Sequence, residues 1–148
     1  MKEYQVKNLN AIEPQINDRG VGNVFSVKPA TDRTVMERCQ ASFVEVEPGN
    51  TAFGYHYHES VEEIFYVISG EGSVRTHDGE VAVKAGDLIS LPTGVGGSHV
   101  IRNTSASEKL VYIDYGTTST CEIAHLPDAG KILVASGTTF GIFDEPKA

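Results

Sequence analysis

The sequence predicts an all-β domain, a sandwich or barrel, and three observations carry the prediction. Short apolar or alternating runs recur at about 8–12-residue spacing, each closed by turn-forming residues. Glycine and proline number 15 and 6 and fall between those runs. No stretch keeps a helical apolar period beyond about two turns.

Residues 20–30, GVGNVFSVKPA, hold a short apolar piece that stops at Pro29. Residues 39–46, CQASFVEV, alternate before the turn Glu47-Pro48-Gly49. Residues 63–69, EIFYVIS, form a nearly continuous β-branched and aromatic run, which reads as a strand covered on both faces. Residues 72–76 and 80–84 flank His77-Asp78-Gly79, and Asp-Gly between alternating runs signals a hairpin. Lys84-Ala85-Gly86-Asp87 turns the chain into Leu88–Leu91, which ends at Pro92. Two more strands, 98–102 and 109–115, surround the polar turn Thr104-Ser105-Ala106-Ser107. Beyond Gly116 the pattern loosens. The expectation there is a loop from Ala124 to Gly130, then a short strand Ile132-Leu133-Val134, the tail wrapping the barrel or a partner subunit.

The chain has 148 residues, the size of one domain, and that length can bury roughly 68–70% of its unfolded surface without a staple. Lys and Arg number 12 against 20 Asp and Glu, a net charge of −8. That balance argues against nucleic acid and anionic membranes as partners. Two cysteines, Cys39 and Cys121, make neither a disulfide scaffold nor a thiolate metal site, and read as small buried hydrophobes. The first residues resemble no signal peptide, and no apolar run approaches a membrane span. The expected compartment is the cytoplasm, with both thiols reduced.

The chemistry lies in Gly54-Tyr55-His56-Tyr57-His58-Glu59-Ser60-Val61-Glu62-Glu63. Residues i and i+2 of a strand share a face, so His56 and His58 project side by side and Tyr57 points away. His99 sits further on, in the strand Ser98–Arg102, and a carboxylate past the bend can swing back toward the pair. Three imidazoles and a carboxylate aimed into one barrel suit a divalent transition metal and leave positions for substrate. A lone His-x-His is as well explained by surface or hydrogen-bonded core histidines; the combination changes the case. Glu62 and Glu63 point to opposite faces, and pleat arithmetic does not choose between them.

These residues resemble the cupin superfamily, the small single-domain metal-binding cupins with one conserved barrel. The first motif of that family, G-x5-H-x-H-x(3,4)-E-x6-G, is matched by His56, His58, Glu63 and Gly70, with Gly49 one residue too far upstream. The glycine spacing selects Glu63 over Glu62. The second motif, G-x5-P-x-G-x2-H-x3-N, is matched by Gly86, Pro92, Gly94, His99 and Asn103, with Val95-Gly96-Gly97-Ser98 standing where two residues are expected. That insertion is expected to alter the site mouth. The resemblance covers about residues 41–116 and implies a double-stranded β-helix, a jelly-roll barrel of two antiparallel sheets. One cupin domain would span 1–148, with extensions at both ends. The resemblance implies metal ligands at His56, His58, Glu63 and His99. It also implies one divalent transition metal per chain (manganese, iron, nickel, copper or zinc), a small-molecule ligand in the barrel and a homodimer. The implied activity is metal-dependent catalysis on a small oxygen-rich molecule, of oxygenase, isomerase, decarboxylase or lyase type. Dioxygenase and sugar-phosphate isomerase chemistry are both compatible, although no basic cluster for a phosphate lies near the ligands in the sequence. The alternative is a non-catalytic module that binds or senses a small molecule with the metal as anchor.

Parity places Glu63, Phe65 and Val67 on one face, with Ile64, Tyr66 and Ile68 on the other, awaiting a second sheet or subunit. Asp114 and Glu45 are polar residues in apolar strands and candidate partners of a ligand imidazole. His77 is expected at a solvated hairpin tip, Asn103 as a turn former, and His125 in the late loop.

Overall fold

The computed structural model describes residues 3–146. The outermost residues of the predicted 1–148 domain span therefore lie outside the described chain. Among the described residues thirteen strands form: β1 (Gln15–Asp18), β2 (Val24–Pro29), β3 (Cys39–Val46), β4 (Thr51–His58), β5 (Glu63–Ser69), β6 (Glu71–Thr76), β7 (Gly79–Lys84), β8 (Leu88–Leu91), β9 (His99–Asn103), β10 (Leu110–Thr117), β11 (Cys121–Leu126), β12 (Lys131–Ser136) and β13 (Phe140–Asp144). They make two antiparallel sheets. One runs β1-β2-β3-β10-β5-β8, the other β13-β12-β11-β4-β9-β6-β7. This is the all-β jelly roll expected from the sequence. Among the described residues no helix is long and apolar enough to cross a membrane.

The core lies between the sheets. Phe25, Val44, Val46, Phe65, Val67, Leu110 and Tyr112 come from one sheet, and Ala52, Val74, Val83 and Ile101 from the other. Alternation explains which residues enter. On β5, Phe65 and Val67 are buried, while Ile64, Tyr66 and Ile68 remain 37–43% exposed on the outer face. The continuous apolar run therefore packs on one side only within this chain, and the second sheet does not cover the other. Asn103 acts as expected: buried at the end of β9, it donates to Val46 O and Glu108 O and accepts from Ser105 N, tying the following turn. Gly70 permits a close crossing, since a Cβ there would sit 2.4 Å from Lys109 O, at a φ of +84°.

Two expectations are corrected. Residues 124–130 are not one loop. Ala124 to Leu126 complete β11, which pairs with β4 through Ala124↔His58 and His125↔Tyr57, and only 127–130 turn the chain into β12. The tail supplies three of the strands of the seven-stranded sheet, β11, β12 and β13. Cys121 is exposed at the start of β11 rather than buried, and Cys39 is half-buried; both are free thiols.

Candidate metal centre

Strand β4 delivers two histidines and β9 delivers the third. Their register slips between Ala52↔Ile101 and His56↔His99, so β4 carries two extra residues. The bulge is centred near Phe53, a non-glycine residue at φ 64°. This unfavourable backbone is held by Asn23 Nδ2, which donates to Phe53 O at 3.0 Å. The bulge sets His56 directly opposite His99, and the ring centroids are 4.4 Å apart. It also turns the Phe53 ring onto Phe25, at 4.7 Å, so Phe53 floors the site. The inserted residues before His99 fold as a short 3-10 turn, Val95–Gly97. A Cβ on Gly97 would lie 1.7 Å from Pro92 O, so only glycine closes this turn. Gly94 N donates to His58 O at 2.7 Å and ties the turn to β4.

Each imidazole is oriented through Nδ1. His56 Nδ1 lies 2.7 Å from Gly54 O, and His99 Nδ1 lies 2.8 Å from Gly97 O. A carbonyl only accepts, so both Nδ1 atoms carry the proton and both Nε2 atoms are bare lone pairs. His58 Nδ1 meets Glu122 Oε1 at 3.3 Å. Glu63 then faces His58 and His99, its Oε2 being 3.4 Å from each Nε2. Glu62 is exposed and bonds Thr117 only through its backbone, which settles the choice the pleat left open.

The donor atoms of His56, His58 and Glu63 all lie within 4.8 Å of one another, a cluster that could hold a metal ion. His58 Nε2, His99 Nε2 and Glu63 Oε2 are buried and have no hydrogen-bond partner among the described residues. Three buried, convergent and unpaired acceptors are costly by themselves, and one cation among them would satisfy all three. Imidazole nitrogen with one carboxylate oxygen is a donor set suited to divalent transition metals. The residues present therefore fit the ion.

Burial pushes the His56 imidazole down to about 4, helped by the neighbouring His99. Burial lowers His99 as well. At His58 burial acts in the same direction, but the carboxylates of Glu63 and Glu122 outweigh it and hold the imidazole above its ordinary value. Burial raises Glu63, and the three histidines, led by His58, overcome that and leave it low. On β10, Asp114 is pushed up to about 7 by burial and by the Glu63 charge.

Beside the centre opens a cavity of about 490 Å³. Its walls include His58, Glu63 and Glu122, the 117–120 segment, the β12–β13 turn and Arg33. The inserted turn before His99 is not among the described lining residues of this cavity; it packs against Pro92 and is tied to His58 O through Gly94 N.

The structure gathers His56, His58 and Glu63 into one donor cluster, and it places His99 beside that cluster, its Nε2 3.4 Å from Glu63 Oε2. Neither candidate partner reaches an imidazole: Glu45 pairs with Lys28 at 2.6 Å, and no hydrogen bond among the described residues joins Asp114 to a histidine. The partner is Glu122, which sequence reading missed. It is 8% exposed, and besides His58 it accepts from Glu59 N at 3.1 Å and Ser60 N at 3.2 Å. The only signal for it was a carboxylate inside the alternating stretch CEIAHL. Tyr57 points outward and stacks on His125 at 4.4 Å, and His77 is an exposed tip residue, both as expected.

A family profile for the cupin domain matches residues 42–115. An oxalate-binding protein of Thermotoga maritima is 38% identical over 61 residues, 41% of this chain, and the match spans about half (49%) of that relative's length. A crystal structure from T. maritima, described as a predicted oxalate decarboxylase, superposes with a TM-score of 0.67 at 25% identity, covering 78% of this chain and all (100%) of that one. A sugar phosphate isomerase from Silicibacter pomeroyi superposes with a TM-score of 0.84 at 21% identity over 95% of this chain and 93% of that one, a likeness of fold. The bulged histidine strand, the inward glutamate and the profile across the barrel all agree, and this chain belongs to the cupin family.

Proposed function

We propose that His56, His58, Glu63 and His99 hold one divalent transition metal, and that the protein is a metal-dependent enzyme acting on a small oxygen-rich molecule in the adjoining cavity. One observation carries the reading: three buried polar atoms, His58 Nε2, His99 Nε2 and Glu63 Oε2, converge with no hydrogen-bond partner among the described residues and only 3.4 Å contacts between Glu63 and the two histidines. The bound ion would supply Lewis acidity toward substrate oxygens, or redox capacity if it is manganese, iron, nickel or copper. The chain's own residues do the rest. Gly54 O and Gly97 O fix two imidazoles in the tautomer that aims Nε2 inward. Glu122 holds the third and keeps Glu59 and Ser60 in place. Phe53, Phe25 and Phe65 exclude water beneath the donors.

The reading extends to one domain over the whole chain, working in the cytoplasm as a homodimer. Two unpaired cysteines support that compartment, and exposed Ile64, Tyr66 and Ile68 support a subunit contact across β5. The oxalate-binding relative favours a second reading, a binding module anchored by the metal.

Metal analysis of protein purified without added metal tests the reading. It is followed by oxygen uptake and product formation against diols, keto acids and sugars. Near-stoichiometric metal and turnover that vanishes on chelation or with His58→Ala is expected. Stoichiometric binding without product would establish the module instead, and absence of bound metal would remove the centre.

A further inference from the structure

The cavity beside the metal centre carries an uneven charge. Glu63 and Glu122 line it, and Arg33 is the one lysine or arginine among its described lining residues. Two carboxylates offset a divalent ion, and Arg33 then leaves the cavity with a net positive charge. Many of its other polar groups are already engaged by the chain. Thr117 Oγ1 accepts from Glu62 N, and Thr118 Oγ1 donates to Glu37 O. Ser119 Oγ donates to Cys121 O, and Ser136 Oγ accepts from Thr139 N. Arg33 has no such engagement among the described residues, whereas Lys28, Arg75, Lys109 and Lys131 are all tied to carboxylates.

The segment that carries Arg33 is fastened at several points. Thr31 N donates to Ala41 O at 3.2 Å, and Ala41 N returns a bond to Thr31 Oγ1 at 2.9 Å. Asp32 Oδ1 accepts from Thr34 N at 2.8 Å and Thr34 Oγ1 at 2.7 Å, which spends the neighbouring carboxylate inside its own turn. Thr118 N donates to Arg38 O at 3.1 Å, joining this loop to the opposite wall of the cavity. A guanidinium without an ion pair is thus presented at the cavity by a braced loop.

We propose that Arg33 makes the cavity select a small organic acid, pairing its guanidinium with the substrate carboxylate while the other substrate oxygens face the metal centre. The proposal rests on the metal reading above for the far end of the substrate. A planar guanidinium matches a carboxylate through two parallel hydrogen bonds. A single cation suits a carboxylate better than a doubly charged phosphate group.

Calorimetric titration of manganese-loaded protein tests this, with glycolate and oxalate as acids, ethylene glycol as the neutral counterpart and inorganic phosphate as the rival anion. Wild type is expected to bind the acids at least 10-fold more tightly than ethylene glycol or phosphate. R33Q should weaken acid binding about 10–100-fold, the scale of a lost charge-assisted hydrogen bond. R33K should recover part of it, with metal content equal in all three proteins. Equal acid affinity in R33Q and wild type would overturn the proposal. So would ethylene glycol or phosphate binding as tightly as the acids, or no acid binding at all. If wild type takes up no metal, the metal reading fails separately. Titration of the metal-free protein then decides the role of Arg33, an Arg33-dependent glycolate affinity supporting it and no acid affinity overturning it.

Discussion

His99 and His125 stand in the same seven-stranded sheet and are treated in opposite ways. His99 faces inward, is 2% exposed, and keeps one ring nitrogen buried with no hydrogen-bond partner among the described residues. His125 faces outward, and both its nitrogens are bound: Nδ1 to Glu145 Oε1 at 2.6 Å and Nε2 to Glu59 Oε1 at 2.8 Å. One ring keeps a bare nitrogen turned toward Glu63 in the interior. The other is complete, a stacked ion-pair clasp that fastens the region after β13 to the end of β4. Residue type does not distinguish the proposed ligand His99 from the structural His125; the unpaired atom does.

Removing the acidic member of the inward group should have the largest effect. Glu63→Gln is expected to lower metal retention by more than about 100-fold, measured by metal analysis after dialysis, because it strips the charge from the donor set. Glu62→Gln should leave retention unchanged, and equal losses in both variants would break the comparison. Glu122→Ala is expected to weaken metal affinity about 10–100-fold in competition with a fluorescent chelator, the usual scale for a group that orients a ligand. Glu122→Gln should recover part of it, because an amide oxygen at the Oε1 position can still accept from His58 Nδ1 and Glu59 N, although the bond from Ser60 N to Oε2 is lost.

The outward clasp should give the smallest effect and no metal effect. His125→Ala is expected to lower Tm by about 1–4 °C, as befits a partly exposed ion pair. Burial works to lower the His125 pKa, but Glu59 and Glu145 together hold it above 6.5. Its folded value is therefore raised, so its contribution is complete below about pH 6.5 and fades as pH rises through the higher folded value. The Tm gap between wild type and variant should narrow as pH is raised. A gap that widens would reverse the assignment.

Much of the barrel was legible in local pattern. CQASFVEV, EIFYVIS and the strands around Asp78-Gly79 form where alternation and turn residues place them. The tail was not legible, for a reason visible in β11. Its buried positions are Glu122 and Ala124, while Ile123 is only half-buried, so the apolar pattern runs against the direction of burial. A glutamate that enters the interior to meet a histidine looks, in one dimension, like a loop residue. The same inversion hid the partner of His58, which lies 64 positions away.

His56 and His58 share a face because the backbone alternates, a local property written into their spacing. Spacing also allowed for His99 and for a glutamate nearby. Motif spacing already pointed to Glu63 over Glu62, but folding alone decided that the bulge at Phe53 sets His56 against His99, and that Glu122 and Arg33 meet the same cavity. Those outcomes depend on register and on contacts between distant strands, and neither can be read from neighbouring residues.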